Sequence, residues 1–277
     1  MTPGCSAATE AGWAYLADAD RMLPGRIDAF YLVGSSALGA FRCGRSDVDF
    51  VAVVDRDLKT VELRRLRFLH GKSAARTAWR ALGNGHSPLS GTCNGVFVRR
   101  ADVSLPVTEI RPVASQTGEL FTVGTGFDVN PVAWKVLLDH GIALRGPSPS
   151  ELGLDAQSHL LRAWNIENLG SYWHRWAVGL LQRPTMTFWM RPRWSSAWGV
   201  LGAPRLHHTI ATGAVVSKEA AGEYALESFD RRWRPIIHTA LAWWRQESAI
   251  AQPRDVRERA RQTAGFVLDV IRCAQAL

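Results

Sequence analysis

Hydrophobic patterning predicts an α+β chain in two halves, an N-terminal mixed β-sheet flanked by helices and a C-terminal helical bundle. Three observations lead there. Short runs rich in β-branched and aromatic residues alternate with helix-like stretches through the first half of the chain. Beyond that, apolar residues recur at helical spacing almost without interruption. Between the two patterns lies Gly146-Pro147-Ser148-Pro149, a turn-rich segment that sets expected domains of 1–150 and 151–277.

The elements follow in order. Ala11 to Met22 is amphipathic and stops at Pro24-Gly25, so it reads as a helix. Ala29 to Val33 reads as a buried strand, Gly34-Ser35-Ser36 breaks it, and Ala37 to Phe41 has room for one helical turn. The polar Cys43-Gly44-Arg45-Ser46 leads to a neighbouring strand over Val48 to Val54. Leu58 to Leu82 is a long basic helix with Val61, Leu63, Leu66, Leu69, Ala75 and Trp79 on its apolar side, and a Gly83 to Pro88 loop follows. Strands are expected at Gly95 to Arg99, Leu120 to Val123 and Ile142 to Leu144, with a helix over Pro131 to His140 and a turn at Gly124-Thr125-Gly126. In the second half, helices are predicted over Ala156 to Gln182, Ser195 to Thr212, Lys218 to Leu226 capped by Ser217, Trp233 to Ser248, and Arg254 to Ala276.

Composition narrows the function classes. With 277 residues, 47% of them hydrophobic and 21% charged, the chain reads as globular. No apolar run approaches the roughly 20 residues that span a bilayer, so no membrane partner is expected. The N-terminus carries Glu10, Asp18 and Asp20 and does not read as a signal peptide. Cys5, Cys43, Cys93 and Cys273 lie far apart without CxxC spacing, against both a zinc site and a disulfide framework, and a reducing cytoplasm is the simplest setting. The net charge of +8 is spread over both halves. Its densest cluster, Arg254 to Arg261, interleaves acids at helical spacing and reads as a solvated helix face, so nucleic acid is not the expected partner.

The chemistry-bearing segment is Gly34-Ser35 followed by Ser46-Asp47-Val48-Asp49. Side chains two apart on a strand point the same way, so Asp47 and Asp49 share a face while Val48 and Phe50 pack behind it. Neighbouring carboxylates repel in an apolar setting, and a divalent cation between them is the ordinary way to keep both ionised. Mg²⁺ suits such a site because it leaves positions for triphosphate and water. A turn entering a helix, as at Gly34-Ser35, offers free N–H groups to an anion. The alternative reading is a surface hairpin with two solvated aspartates.

Gly-Ser, a short spacer, then Ser-Asp-x-Asp and an apolar run resembles the signature of the DNA polymerase β-type nucleotidyltransferase superfamily. Three further segments extend the likeness: Gly141 to Pro147, Thr212 to Ala221, and Trp233-Arg234-Pro235-Ile236 resemble the aminoglycoside adenylyltransferases that modify streptomycin and spectinomycin. That resemblance covers nearly the whole chain. It implies a nucleotidyltransferase domain and a helical acceptor-binding domain with ATP and drug between them. The implied reaction is attack of a small-molecule hydroxyl on the α-phosphate of ATP, releasing pyrophosphate.

By the same resemblance, Asp47 and Asp49 ligate Mg²⁺ and Gly34 and Ser35 hold phosphates; Ser46 and Arg45 are further candidates for the nucleotide site, with an exposed loop arginine as the alternative reading of Arg45. Ser35 has a second role open to it, as cap of the following helical turn. The family carries a third carboxylate on the next central strand, where this chain has Asn94. An amide accepts no proton at neutral pH, so Asn94 is at most a weak ligand, and Asp102 or Glu109 are the acids left to substitute for it. The acceptor segment, Trp194 to Trp198, has no acid, which turns attention to Glu167 on the preceding helix with Trp164, Trp173 and Trp176 nearby. His207-His208 does not have the i, i+4 spacing of a metal pair and reads as core or cleft edge. Three functions are carried forward: an ATP- and Mg²⁺-dependent adenylyltransferase acting on a small molecule, an aminoglycoside first; a nucleotide-binding protein of the same fold that has lost turnover and acts as a sensor or partner-binding module; and, last, a transferase acting on RNA or a protein. The oligomeric state is not legible.

Overall fold

In the computed structural model, residues 3–84, 91–118, 120–182, 193–247 and 255–277 are described. Part of the expected loop after Leu82, from Gly85 to Pro88, lies outside them, as do Ser248 and Arg254 at two expected helix ends. The chain divides into two compact units, Met1–Ser158 and His159–Leu277.

The first unit is built on a six-stranded mixed sheet in the order β5-β4-β3-β2-β1-β6. Its strands are β1 (Ile27–Leu32), β2 (Val48–Val54), β3 (Cys93–Arg99), β4 (Ala114–Thr117), β5 (Leu120–Val123) and β6 (Ile142–Arg145). Only β2 and β3 run parallel; the remaining neighbours are antiparallel. The parallel pair needs a crossover, and the long helix α3 (Thr60–Asn84) supplies it. Helix α1 (Pro3–Met22) and α3 pack on the same face of the sheet. There, Phe30, Phe50 and Phe97 meet Tyr15 and Leu16 of α1 and Leu66 and Leu69 of α3. The Phe50 ring stacks on Phe30 at 4.8 Å and meets Phe97 edge-on at 5.5 Å. Gly95 is opposite Phe50, and a Cβ there would overlap Phe50 itself, so glycine is what lets β3 close on β2.

The short helix α2 (Gly34–Ala37) follows β1, and α4 (Pro131–His140) precedes β6. Asn130 starts α4: its carboxamide oxygen accepts from Val132 N at 2.9 Å and Ala133 N at 3.0 Å, while Pro131 occupies the first turn.

Helices make up the second unit: α5 (Leu161–Asn168), α6 (His174–Gln182), α7 (Arg193–Thr212), α8 (Lys218–Ser228), α9 (Arg234–Arg245) and α10 (Val256–Gln275). A π-helical turn over Leu169–Trp173 joins α5 to α6, where one continuous helix is expected from the sequence. Ser217 caps α8 as its sequence predicts, accepting from Ala220 N at 3.1 Å, and Asp255 caps α10. The core is formed by Val200, Leu201 and Ala203 of α7 against Ala264, Phe266, Val267 and Val270 of α10, with Ile237 and Leu241 of α9. Among the described residues no helix is long and apolar enough to cross a membrane. Cys43, Cys93 and Cys273 are free thiols.

Phe50 sits where three rings meet, so Phe50→Ala removes the centre of the first unit's core. The expected loss is about 3–5 kcal/mol, read as the shift in denaturant midpoint at unchanged slope; a loss under ~1 kcal/mol would show that the ring cluster is not the core of this unit.

Candidate functional site

The polar end of the sheet lies where β2 and β3 begin. Val33 N donates to Asp49 O at 2.9 Å, which brings the turn after β1 beside β2. Gly34 takes φ +58°, and a Cβ at that position would run into the Asp49 carboxylate. Both facts require glycine. The turn thus lies against the Asp49 side chain, joining the first predicted motif to the second. Ser35 and Ser36 lie in α2, and their hydroxyls are buried without a hydrogen-bond partner in the protein. The cap of α2 is Val33, with no side-chain capping bond, so Ser35 is not the cap its sequence allowed.

Arg42 to Ser46 forms a closed loop. Ser46 N donates to Arg42 O at 2.8 Å, and the Ser46 hydroxyl accepts from Arg42 N at 3.0 Å. Ser46 is buried and serves this turn, delivering Asp47 to the start of β2. Arg45 is half-buried, donates to Gly44 O at 3.2 Å, and has its guanidinium pKa lowered by burial.

Parallel pairing sets Asp49 beside Asn94. The Asn94 carboxamide is committed at both ends. Its Nδ2 donates to Asp47 Oδ2 at 2.6 Å, and its Oδ1 accepts from Gly118 N at 2.9 Å. Gly95 faces Gln116 across the antiparallel β3–β4 pair, so Asn94 lies opposite Thr117. Asp47, Asp49 and Asn94 are therefore brought together, with Val48 and Phe50 turned into the core behind them.

The carboxylates make this end of the sheet electrostatically negative. Burial, with Asp49 and Asp47 adding to it, pushes the Cys93 thiol up to about 12, so it stays protonated. Asp128, in the loop between β5 and α4, feels the same field: burial first, then the Asp47 charge, raises it to about 6, against the lowering effect of a hydrogen bond from the Thr117 hydroxyl. Asp128 was not found by sequence reasoning. It belongs to no motif, and only the fold carries its loop back to Asp47.

The two acids named as substitutes for Asn94 are elsewhere. Asp102 accepts from Arg99 Nε at 2.7 Å in a 3₁₀ turn past the other end of β3, about 17 Å of strand away. Glu109 follows it and is exposed. Neither is at the site.

In the helical unit, Glu167 is exposed near the end of α5, and Trp164 is half-buried one turn before it. Trp173 and Trp176 pack on α7. Trp173 stacks on Trp198 at 4.5 Å, Trp176 meets Trp198 edge-on at 5.2 Å, and Gly202 and Gly199 leave room for these two rings. Packing accounts for both indoles. His207 is buried, bonded through Nδ1 to the Tyr224 hydroxyl at 2.8 Å, with its pKa lowered by burial. It is a core histidine, as its spacing indicates.

Among the described residues no group of three or more His, Cys, Asp or Glu is placed to enclose a metal ion. The fit for a cation rests on Asp47 and Asp49, whose charges add to the effect of burial on Cys93. Beside them, the orphaned Ser35 and Ser36 hydroxyls fit an anion.

The first unit is thus a mixed sheet with Asp47 and Asp49 at the start of a central strand, and a helical unit follows it in the chain. Comparison with known proteins agrees from two sides. Residues 189–269 match the family described as aminoglycoside adenylyltransferase, C-terminal domain. Spectinomycin adenyltransferase AAD(9) from Enterococcus faecialis, solved with ATP and spectinomycin, has the same fold at TM-score 0.58 and 14% identity, over 92% of this chain and 99% of that one. No curated protein matches the chain by sequence. The matched residues fall in the helical unit.

The Asn94–Asp47 bond makes a prediction. In Asn94→Asp, the donor to Asp47 is lost and a third negative charge faces the pair, so without divalent cation the variant should be less stable by about 1–3 kcal/mol. Added Mg²⁺ should restore part of the loss. Thermal unfolding in EDTA and in Mg²⁺ checks this, and equal stability of the two proteins in EDTA would contradict the hydrogen-bond assignment.

Proposed function

We propose that the protein is an ATP- and Mg²⁺-dependent adenylyltransferase that moves AMP to a hydroxyl of a small molecule, with aminoglycosides as the acceptor class, and that antibiotic resistance is its role. The observation that carries the reading is the contact between the Gly34 turn and Asp49, which sets orphaned Ser35 and Ser36 hydroxyls next to an acidic pair. The family match of residues 189–269 supports it, and the AAD(9) title, which names ATP and spectinomycin, suggests the ligands to test. A cytoplasmic enzyme is the expectation that goes with this.

Asp47 and Asp49 are the residues that would hold Mg²⁺, which when bound supplies charge neutralisation for the triphosphate. The chain's own contribution is orientation. Gly34 leaves space for a phosphate to approach the backbone, Ser35 and Ser36 offer hydroxyl donors, and half-buried Arg45 lies in the loop that leads to Asp47. Asn94 holds Asp47 in place through its amide. In the helical unit, exposed Glu167 with Trp164 a turn away is the proposed acceptor-facing pair, since a carboxylate beside an aromatic surface suits a polycation.

A second reading has its own support. Both polar ends of Asn94 make a hydrogen bond within the protein, and an amide accepts no proton at neutral pH. That favours a nucleotide-binding protein without turnover. Pyrophosphate release from Mg·ATP with a panel of aminoglycosides separates the two readings: acceptor-dependent release supports the enzyme, and ATP binding without release supports the sensor or partner-binding module.

If the enzyme reading holds, Asp47→Ala and Asp49→Ala should each lower transfer by on the order of 10³-fold or more while melting within a few degrees of the parent. Turnover of either variant near the wild-type rate would remove these residues from the mechanism.

A further inference from the structure

Helix α3 carries six basic residues, Arg64, Arg65, Arg67, Lys72, Arg76 and Arg80, against one acid, Glu62. That acid is engaged at the start of the helix, where it accepts from Arg56 Nη1 and Nη2 at 3.0 Å and pairs with Arg26 Nε at 3.4 Å. It does not offset the basic row. Arg64, Arg65, Lys72 and Arg76 are exposed, and among the described residues none of the four is in an ion pair. The sequence sets Val61, Ala75 and Trp79 on the apolar side of α3 with Leu66 and Leu69. The structure buries Leu66 and Leu69 but leaves Val61, Phe68 and Trp79 at 52%, 65% and 78% exposure, and Ala75 exposed with them. At 3.6 residues per turn, Val61, Phe68 and Trp79 lie within about 20° of one line along the helix, over about 27 Å. Arg64 flanks that line on one side and Arg65 and Arg76 on the other, each about 40° to 60° away, with Lys72 close to the line itself. Beside α3, the outer side of α1 adds Trp13 at 48% exposure.

We infer that the outer face of α3 is a docking surface for an anionic lipid bilayer, on which the helix lies in the plane of the interface. Single exposed apolar side chains are common on protein surfaces, whereas an apolar line with cations on both flanks is the pattern of an interfacial helix. The uncompensated charge calls for a polyanionic partner. A second copy of the same face does not fit, because pairing α3 with itself sets like charges opposite one another. Nucleic acid would use the arginines but gives Val61 and Ala75 at the crest nothing to bury against, since its outer surface is phosphate and sugar. A bilayer uses both sets. Phe68 and Trp79 enter the boundary between headgroups and acyl chains, and the flanking arginines and Lys72 extend to the anionic headgroups while their stems lie along the apolar layer. Such binding needs no helix that crosses the membrane. It is also independent of the adenylyl-transfer reading, because none of these residues belongs to the Asp47 and Asp49 site.

The test is co-sedimentation of the full chain with vesicles of phosphatidylcholine containing phosphatidylglycerol, and with vesicles of phosphatidylcholine alone. Three double variants accompany the parent: Phe68→Ser with Trp79→Ser, which keeps the charge; Arg64→Gln with Arg65→Gln, which keeps the apolar line; and Arg257→Gln with Arg261→Gln on α10, which removes as much charge from an exposed face elsewhere. All six positions are exposed, and thermal unfolding verifies that each variant folds. The expected result is binding to the anionic vesicles that exceeds binding to the neutral ones by on the order of tenfold and falls as salt is raised. Each α3 variant should lower the partition by on the order of tenfold, and the α10 variant by less than about twofold. Absence of binding to the anionic vesicles overturns the proposal. So does a loss confined to the arginine variants and equal for α3 and α10, which is adsorption of a basic protein without a site. Retention of a mixed-sequence RNA at salt where no vesicle is bound would make α3 a nucleic-acid face instead, and a dimer that the Phe68→Ser, Trp79→Ser variant dissociates would make it a subunit interface; either result overturns the lipid assignment.

Discussion

Parallel pairing of β2 with β3 is the contact on which the candidate site depends. Neither strand carries a complete set of groups. Asp47 and Asp49 enter from β2, Asn94 from β3, and the register that sets Asp49 beside Asn94 is what lets one carboxamide bridge Asp47 and the Gly118 backbone. The pairing in turn requires a glycine at Gly95, because Phe50 fills the space a side chain would need. Core packing and site geometry are thus two faces of the same strand pair. A slip of one residue would turn the acids into the apolar layer and Val48 and Phe50 out of it.

Electrostatics explains why that arrangement suits a ligand. Burial is the main reason that the Asp128 carboxyl is raised to about 6 and the Cys93 thiol to about 12, and the negative charge of Asp47, with that of Asp49 for Cys93, adds to it. Such a site is costly without a cation and gains from binding one. The helical unit is organised by packing instead, with its tryptophans filling space between α6 and α7 and its histidine pair bonded within the fold.

Much of this was legible from residue patterns, and the failures share a cause. The strands β1, β2 and β3 carry apolar runs, and the Ser-Asp-x-Asp spacing places two acids on one face whatever else surrounds them. Ser217 and its α8 helix are local features, readable from a few residues. Strand β4 was missed because Ala114-Ser115-Gln116-Thr117 is short and mostly polar; it is a strand only because β3 and β5 flank it. The helix expected from Ala156 to Gln182 is broken by a π turn over Leu169–Trp173, which no periodicity announces. The loop of Asp128 depends on long-range facts, the β3–β4 register and the close approach of Gly126 to Ser115. A sequence motif contains neither.

The central claim is that the Gly34 turn and the Asp47–Asp49 pair together form a site for a metal-bound triphosphate. A crystal structure of the chain with Mg²⁺ and a non-hydrolysable ATP analogue tests it most directly. The account predicts a cation ligated by Asp47 and Asp49, with the terminal phosphates within hydrogen-bond reach of the Ser35 or Ser36 hydroxyls. Nucleotide bound elsewhere, with both aspartates facing only solvent, would contradict it.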